Sequence, residues 1–312
     1  MSRKLVLSTI VVLVFAVSFL AKRALRNEDV IGPDVAASSP TGNETQAFPQ
    51  RIISLAPSIT ESLYALGRMD RVVGVTRYCD YPPEALTKTK IGGYYDPNYE
   101  AIVMLEPDLI IMLAEHEGPR KHLADLGYNI VVVNHKSISG ILRSIEVVGE
   151  ACGASDESKS LTDDIKARME RIRQKTAGRP SPRVMVSIGR NMGSGTLTDV
   201  YISGKEGFYD EMLEIIGGVN AYSGGVAFPV VSSEGIIMMN PEVIIDMVPD
   251  LEENGWSPEM IYREWDAVSQ VDAVKNGRVH VFGEDYVAVP GPRFISIMEK
   301  MARVIYPEIS WD

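Results

Sequence analysis

Short apolar runs alternate along this chain with stretches in which apolar residues recur every three or four positions. The short runs have the length of buried strands and occur at 51–55, 72–75, 109–113, 130–133, 183–188 and 279–282. The stretches with helical spacing occur at 57–67, 122–126, 138–150, 208–216 and from Pro292 to about Tyr306. Strands that alternate with helices predict an α/β fold with mostly parallel sheets, covered on both faces.

The first of these helices carries a start signal and a stop signal. Ser58 and Glu61 have the Ser-x-x-Glu spacing of a capping box, in which both side chains bind backbone amides of the first turn. Gly67 is the stop signal, because glycine adopts the left-handed conformation that ends many helices. We therefore predict a capped helix between these residues.

The longest amphipathic stretch lies in the middle of the chain, from Ser158 to Thr176. Its apolar residues are spaced four, four and three apart, with charges elsewhere, which predicts one helix of about five turns. Flexible hinges consist of extended loops, so a helical connection predicts limited closure upon binding. The predicted fold is two Rossmann-like lobes joined by one long rigid helix, with the lobes at 50–156 and 179–312 and the helix at 157–178.

One segment of the sequence occurs twice. Residues 100–111 and 234–245 each open with a glutamate, place a proline seven residues later and continue with an acid and an apolar run. An aromatic residue, Tyr94 or Phe228, lies six positions before each glutamate. Two equivalent units predict two similar lobes that face each other, with paired glutamates and paired aromatics on matching surfaces. Such an arrangement suits a two-lobed binding cleft.

The glutamates Glu100 and Glu234 also have a purely local interpretation. An acid in the first turn stabilises any helix, because the free amides there carry partial positive charge. Asn98 and Ser232, two residues earlier, are suitable N-caps. The residues alone therefore leave open whether these acids have a partner.

The N-terminal residues predict a connection to a membrane. Basic residues flank an apolar run at 5–21, which predicts a membrane anchor or signal segment at 1–26. A small-x-small cleavage site is missing, so we favour an uncleaved anchor with the body of the protein outside the cell membrane. The polar segment 27–49 reads as a flexible linker and contains the glycosylation sequon 43–45.

Composition and charge narrow the class of protein. With 312 residues and 45% hydrophobic content, the chain can form two moderate domains or one large one. After residue 26 it carries 26 basic and 42 acidic residues, a net charge of −16, and no basic patch. We therefore expect no binding to nucleic acid. The two cysteines, Cys79 and Cys152, are expected to be separate thiols, although one bridge stays open.

Signals for catalysis or metal binding are weak. The four histidines lack metal-ligand spacing, and neither a nucleophile elbow nor a phosphate loop with a lysine occurs, so we assign no catalytic residue, metal site or resident cofactor. Glu115-His116-Glu117 follows a predicted strand, where ligands bind in open α/β sheets. We favour a solvated polar loop for this cluster over an active site. The glycines between 189 and 195 lack dinucleotide-binding spacing and predict a loop.

Several aromatic residues fall at predicted strand ends or in loops. A large, flat and partly polar ligand could be held between two such aromatic walls. For any single one, local packing is the simpler interpretation. These residues are Tyr78, Tyr94, Tyr95, Tyr201, Phe228 and Tyr286.

Together these segments resemble a known family. The segments are 51–61, 74–83 with its Tyr-Cys-Asp-Tyr-Pro-Pro, Gly92-Gly93, the Glu100 unit, 217–220 and Gly291-Pro292-Arg293. They resemble the vitamin B12-binding proteins of ABC importers, within the wider class of receptors for cobalamin, ferric siderophores and haem. The resemblance covers roughly residues 51–306.

The resemblance implies a fold, partners and site residues. It implies two α/β lobes on a rigid helix, a permease and ATPase as partners, and docking of Glu100 and Glu234 onto permease arginines. Two departures concern the ligand: Leu113 stands where an aromatic is expected, and Val289 where an arginine is expected. The implied ligand-binding residues are Tyr78, Tyr94, Tyr201, Phe228 and Asp285.

The leading hypothesis is a membrane-tethered extracytoplasmic protein that captures a corrinoid for an ABC permease. The first alternative is a haem or ferric-siderophore receptor, with Tyr78 or His116 reaching the iron or lining the cleft. A second is an anchored α/β enzyme that uses Glu115-His116-Glu117, and a third is a sensor domain.

Overall fold

A computed structural model describes residues 48–192, 197–251 and 253–311. The predicted anchor, nearly all of the predicted linker with its sequon, and the end of the glycine loop lie outside these residues. Among the described helices, none combines the length and the apolar character needed to cross a membrane.

The N-terminal lobe is built on a five-stranded sheet of order β3-β2-β1-β4-β5, in which every pair is parallel. All five positions of the interior strand β4 are buried, as expected for an apolar run with neighbours on both edges and helices on both faces. The strands are β1 (Ile52–Ser54), β2 (Val72–Val75), β3 (Thr89–Lys90), β4 (Leu109–Leu113) and β5 (Ile130–Val133). The helices are α1 (Pro57–Ala65), α2 (Tyr99–Met104), α3 (Glu117–Asp125) and α4 (Ile138–Cys152).

The C-terminal lobe contains a six-stranded sheet of order β11-β10-β6-β7-β9, with β8 beside β6. Strand β7 runs antiparallel to both of its neighbours, and the other pairs are parallel. The strands are β6 (Arg183–Gly189), β7 (Val200–Ile202), β8 (Val219–Asn220), β9 (Val230–Val231), β10 (Val243–Met247) and β11 (Val279–Phe282). The helices are α6 (Phe208–Ile216), α7 (Ser233–Met239), α8 (Pro258–Trp265), α9 (Asp272–Lys275) and α10 (Phe294–Ile305). The predicted α/β fold with mostly parallel sheets is confirmed.

The predicted long helix is confirmed as α5 (Ser155–Thr176), which begins three residues earlier than expected and has 22 residues. At 1.5 Å per residue it is about 33 Å long. Its apolar stripe is buried at Ile165 and Ile172 against a hydrophobic cluster that contains residues of both sheets. Arg168 Nε and Nη2 also donate to both oxygens of Glu299 on α10, at 2.8 and 2.7 Å. The helix thus belongs to one core shared by the lobes.

The predicted capping box of α1 is wrong. Ala56 is the N-cap residue and makes no side-chain cap, because Pro57 in the first turn already lacks an amide hydrogen and holds a helical φ angle. Ser58 and Glu61 are buried and bind other parts of the protein, as described below. The predicted stop at Gly67 is confirmed, since it has a φ of +66°. Cys79 and Cys152 are free buried thiols, as expected.

Candidate functional site

The two sequence repeats fold into the same unit, a short helix that leads into an interior strand next to the middle strand of its sheet. Helix α2 precedes β4, and α7 precedes β10. Asn98 Oδ1 accepts a hydrogen bond from the amide of Ala101 at 3.0 Å, and Ser232 Oγ accepts one from the amide of Gly235 at 3.3 Å. The predicted N-caps are therefore confirmed in both copies.

Both helices end in the same way. Glu106 and Asn240 occupy equivalent positions after the helix, and both have left-handed backbone, with φ of 42° and 41°. This conformation turns the chain towards the following proline and strand.

An arginine that precedes or begins the first strand of each lobe completes each unit. Arg51 donates from its amide to Asp108 Oδ1 at 2.9 Å and from Nη2 to the carbonyl of Leu105 at 2.6 Å. Arg183 does the same in the second lobe, from its amide to Glu242 Oε2 at 2.8 Å and from its guanidinium to the carbonyl of Met239. The role of these arginines was not predicted, although each stands at the start of an apolar strand run. They fix both helices to their sheets.

Glu100 and Glu234 lie in the first turns of α2 and α7, and both are exposed. A hydrogen bond to its own backbone amide and one from Ser232 lower the pKa of Glu234, so its carboxylate is charged at neutral pH. Neither acid forms an ion pair with another described residue. Each lobe therefore presents an exposed carboxylate, without an ion-pair partner among the described residues, on an equivalent and rigidly held helix.

Three residues of the N-terminal lobe meet at the carboxyl edge of its sheet. Tyr78 follows β2, Tyr94 follows β3 and His116 follows β4. The rings of Tyr78 and Tyr94 are stacked, with centroids 4.7 Å apart and planes 12° from parallel. The His116 ring lies 5.9 Å from that of Tyr94 and 5.6 Å from that of the exposed Tyr95. Open α/β sheets bind ligands at this edge.

His116 is buried, so the favoured solvated loop is wrong for this residue. Its side chain is 2% exposed, burial lowers its pKa to about 4, and Nδ1 has no hydrogen-bond partner. Within the described residues it forms no hydrogen bond to Glu115 or Glu117, so the acid–base pair required by the enzyme alternative is not formed. Burial also raises the pKa of Tyr94, which keeps its phenol neutral.

A tight turn holds the Tyr94 loop in place. Gly92 has a φ of +91°, and a Cβ atom there would lie 2.5 Å from the carbonyl oxygen of Asp96. The Asp96 side chain is ion-paired with Arg77, the residue before Tyr78. The two loops that carry the stacked tyrosines are thus bound to each other.

Tyr201 and Phe228, the predicted ligand residues of the C-terminal lobe, lie in neighbouring chain segments. Tyr201 is the middle residue of β7 and pairs with Val230 of β9, two residues after Phe228. The amide of Ile202 donates to the carbonyl of Pro229 at 3.0 Å, so the two segments run side by side. Both aromatic residues are half-buried.

Asp285 lies in an ion-pair network that crosses from one lobe to the other. Arg293 donates to both oxygens of Glu61 on α1, at 2.6 and 3.0 Å, and to both oxygens of Asp285, at 2.9 and 3.1 Å. Its guanidinium lies 3.7 Å from the ring centroid of Tyr81 and 4.9 Å from that of Tyr286. Burial raises the pKa of Glu61, and Arg293 opposes this shift.

Further contacts join the two lobes. A Cβ atom on Gly291 would lie 3.2 Å from Cα of Ser58, so glycine permits this close approach. The amide of Ile138 at the start of α4 donates to Glu211 Oε2 of α6 at 2.8 Å. Within the N-terminal lobe, His135 Nδ1 lies 2.8 Å from Oγ of the same Ser58. The Gly291-Pro292-Arg293 motif was recognisable in the sequence, but none of these contacts was predicted. Their partners are distant in sequence, so no local pattern indicates them.

Acidic residues of both lobes lie close together near Asp80, where the lobes face each other. Burial raises the pKa of Asp80, and the like charges of Glu253 and Asp285 from the other lobe add to this shift, while Lys90 opposes it.

Two residues depart from those that the family resemblance implies for the ligand site. Leu113 is buried at the end of β4, and Val289 is half-buried. Among the described residues, no group of three or more His, Cys, Asp or Glu side chains could hold a metal ion.

The sequence and the fold are both similar to those of known proteins. The sequence profile of the family described as Periplasmic binding protein matches residues 52–286. An uncharacterized ABC transporter substrate-binding lipoprotein of Bacillus subtilis, YvrC, is 32% identical over 83% of this chain and 81% of its own length. The crystal structure of the periplasmic vitamin B12 binding protein BtuF of Vibrio cholerae has a TM-score of 0.68 and 28% identity, covering 83% of this chain and 97% of that one. A protein of Staphylococcus epidermidis, described as a possible iron-binding periplasmic solute-binding protein, has a TM-score of 0.69 and 27% identity, covering 83% and 100%.

Proposed function

Because the chain belongs to the periplasmic binding protein family, we propose that it captures cobalamin or a related corrinoid between its lobes and delivers it to an ABC permease. Membership of the family makes it an extracytoplasmic solute-binding protein of an ABC importer. The corrinoid, the docking residues and attachment through residues 1–26 are parts of the proposal.

The observation that carries the proposal is the stacked Tyr78–Tyr94 pair beside His116 at the carboxyl edge of the first sheet. Neutral aromatic rings present large apolar faces with few polar groups, which suits a broad ring system better than a small hydrophilic solute. Tyr201 and Phe228 supply aromatic surface in the other lobe. The named relatives include a vitamin B12-binding protein whose structure has the same fold.

A calorimetric titration of the full-length chain with cyanocobalamin tests the ligand. We expect saturable binding of one molecule, weakened about fivefold by Tyr94→Ala, since stacking on an aromatic ring contributes about 1 kcal/mol. Tyr262→Ala is the matched control, because Tyr262 is an exposed tyrosine on α8. The absence of binding to any corrinoid would contradict the ligand assignment.

A second candidate ligand is haem or a ferric siderophore. It is favoured by the neutral imidazole of His116, because an unprotonated histidine nitrogen without a hydrogen-bond partner is a good iron ligand. If the chain binds haem in this way, haemin should show a shifted visible spectrum that is lost in His116→Ala. An unshifted spectrum together with cobalamin binding decides for the corrinoid.

Docking through Glu100 and Glu234 is tested by reversing both charges. Carboxylates bind arginines in short, charge-assisted hydrogen bonds, so Glu100→Arg with Glu234→Arg should abolish uptake and leave cobalamin affinity unchanged. Glu117→Arg with Glu259→Arg is the control, since these exposed acids also lie in the first turns of helices, α3 and α8. The control should support uptake. If Glu100→Arg with Glu234→Arg supports uptake equally well, Glu100 and Glu234 only stabilise the starts of their helices.

A further inference from the structure

Met104 and Met238 are the most exposed large hydrophobic side chains that the structure describes, at 84% and 86%. Each is the fourth residue after a proposed docking glutamate, Glu100 or Glu234. The next most exposed large hydrophobic residue in the described chain, Leu86, is 59% exposed. Single exposed apolar residues are ordinary on protein surfaces, but here both lobes expose the same residue type at the same place.

We propose that the docking surface of each lobe is a glutamate and a methionine together, and that the permease offers each pair a cation beside an apolar recess. This inference rests on the proposed function and specifies the partner surface. The carboxylate would bind the cation, and the methionine side chain would pack into the apolar recess.

Helix geometry places the two groups side by side. Residues four apart lie on the same helix face, one turn from each other, with Cβ atoms about 5–6 Å apart. The pair therefore covers a small patch with a charged end and an apolar end. Val103, which is also exposed, widens the apolar end on α2.

The backbone holds this patch in the same way in both lobes. N-caps at Asn98 and Ser232 fix the start of each helix, and the arginine contacts to the carbonyls of Leu105 and Met239 fix its end. Two rigid and equivalent patches fit a partner that presents the same complementary surface twice.

The two members of each pair contribute differently to binding. Charges between proteins guide approach and orientation more than they increase affinity. A methionine gains its free energy when its apolar surface leaves water, and its flexible side chain adapts to the shape of a recess. We expect each methionine to strengthen docking about tenfold, the factor that corresponds to burial of such a side chain.

The test compares docking and uptake for the full-length chain and its variants. Docking is measured on the permease–ATPase complex that supports cobalamin uptake in the source cells, reconstituted in nanodiscs. Met104→Gln with Met238→Gln keeps the side-chain length and removes the apolar character, and we expect docking to weaken about 100-fold. Cobalamin affinity and the thermal unfolding midpoint should stay at the parent values, and Met104→Leu with Met238→Leu should dock normally.

Met260→Gln is the matched control, because Met260 is 48% exposed on α8 outside the repeat. It should dock like the parent. Measuring Glu100→Arg with Glu234→Arg in parallel separates the two claims. If only the glutamate variant fails to dock, the methionine inference is overturned and the proposed function stands. If both variants dock normally, neither the glutamates nor the methionines contribute to docking. If only the methionine variant fails, the glutamates do not contribute, and the proposed pairing of acid and thioether is wrong.

Discussion

Arg293 shows how much of the molecule depends on single side chains. Glu61 is 2% exposed, and an unpaired carboxylate at such a position is strongly unfavourable. Arg293 neutralises it, lies against two tyrosine rings and also holds Asp285. One guanidinium therefore joins helix α1 of the first lobe to the start of the last helix.

We predict that Arg293→Ala lowers the free energy of unfolding by about 3 kcal/mol, because removing one partner leaves the other charge buried. Urea unfolding followed by circular dichroism measures the loss. Arg303→Ala, at an exposed position on α10, should have little effect. A loss for Arg293→Ala as small as that of the control would mean that the bridge contributes no more than a surface ion pair.

Two buried histidines make stability dependent on pH. Burial lowers the pKa of His135 and of His116 to about 4, below the ordinary value of 6.5. Below pH 6.5 the unfolded chain therefore binds protons that the folded chain does not, and stability falls until pH 4 is reached.

We predict that the free energy of unfolding decreases as pH is lowered from about 6.5 to 4, with His135 contributing about 1.4 kcal/mol per pH unit at most. His135→Gln can still bind Ser58 but cannot take up a proton. It should therefore reduce the change in unfolding free energy with pH by up to about 1.4 kcal/mol per pH unit. Urea titrations at several pH values measure it. An unchanged slope would show that His135 is protonated equally in both states.

At the scale of elements, the outcome of prediction depended on the length of the pattern. The runs of β4 and the long stripe of α5 were predicted with nearly correct bounds, because burial repeats over many residues. Strands β3, β8 and β9 have only two residues each, too few for a periodic pattern, and their pairing is set by distant partners. The capping-box prediction failed for a related reason, since Glu61 binds a residue 232 positions away.

The caps of α2 and α7 can be tested directly. Asn98→Ala and Ser232→Ala should each lower the free energy of unfolding by about 1 kcal/mol, because each leaves one amide at the start of a helix without its side-chain partner. Denaturant unfolding measures this cost. Ser223→Ala, at an exposed loop position, is the control. If the Asn98 and Ser232 variants match the control, the caps are not what holds these helices.

At the scale of the whole molecule, the lobes share α5, one hydrophobic cluster and the contacts around Arg293. Two lobes and a rigid connection were predictable from the sequence, and so were the aromatic residues that meet beside His116. The bridge between the lobes was not predicted, since Arg293 and Glu211 find their partners only after both sheets have formed.

We predict that ligand binding changes the overall dimensions very little, with a shift in the radius of gyration below about 1 Å, because a helix and a shared core replace a flexible hinge. Small-angle X-ray scattering of the chain with and without cobalamin measures this shift. Arg293→Ala, which lacks the bridge, should show a larger difference between the two states. A contraction of several ångströms in the parent would contradict the rigid connection.

The bond from the amide of Ile138 to Glu211 also affects the order in which the protein can assemble. Synthesis proceeds from the N-terminus, so the start of α4 emerges 73 residues before the carboxylate that completes it. Glu61 emerges 232 residues before its counterion. The amide of Ile138 consequently lacks its partner until α6 has been translated, and Glu61 lacks its counterion until the start of the last helix has been made.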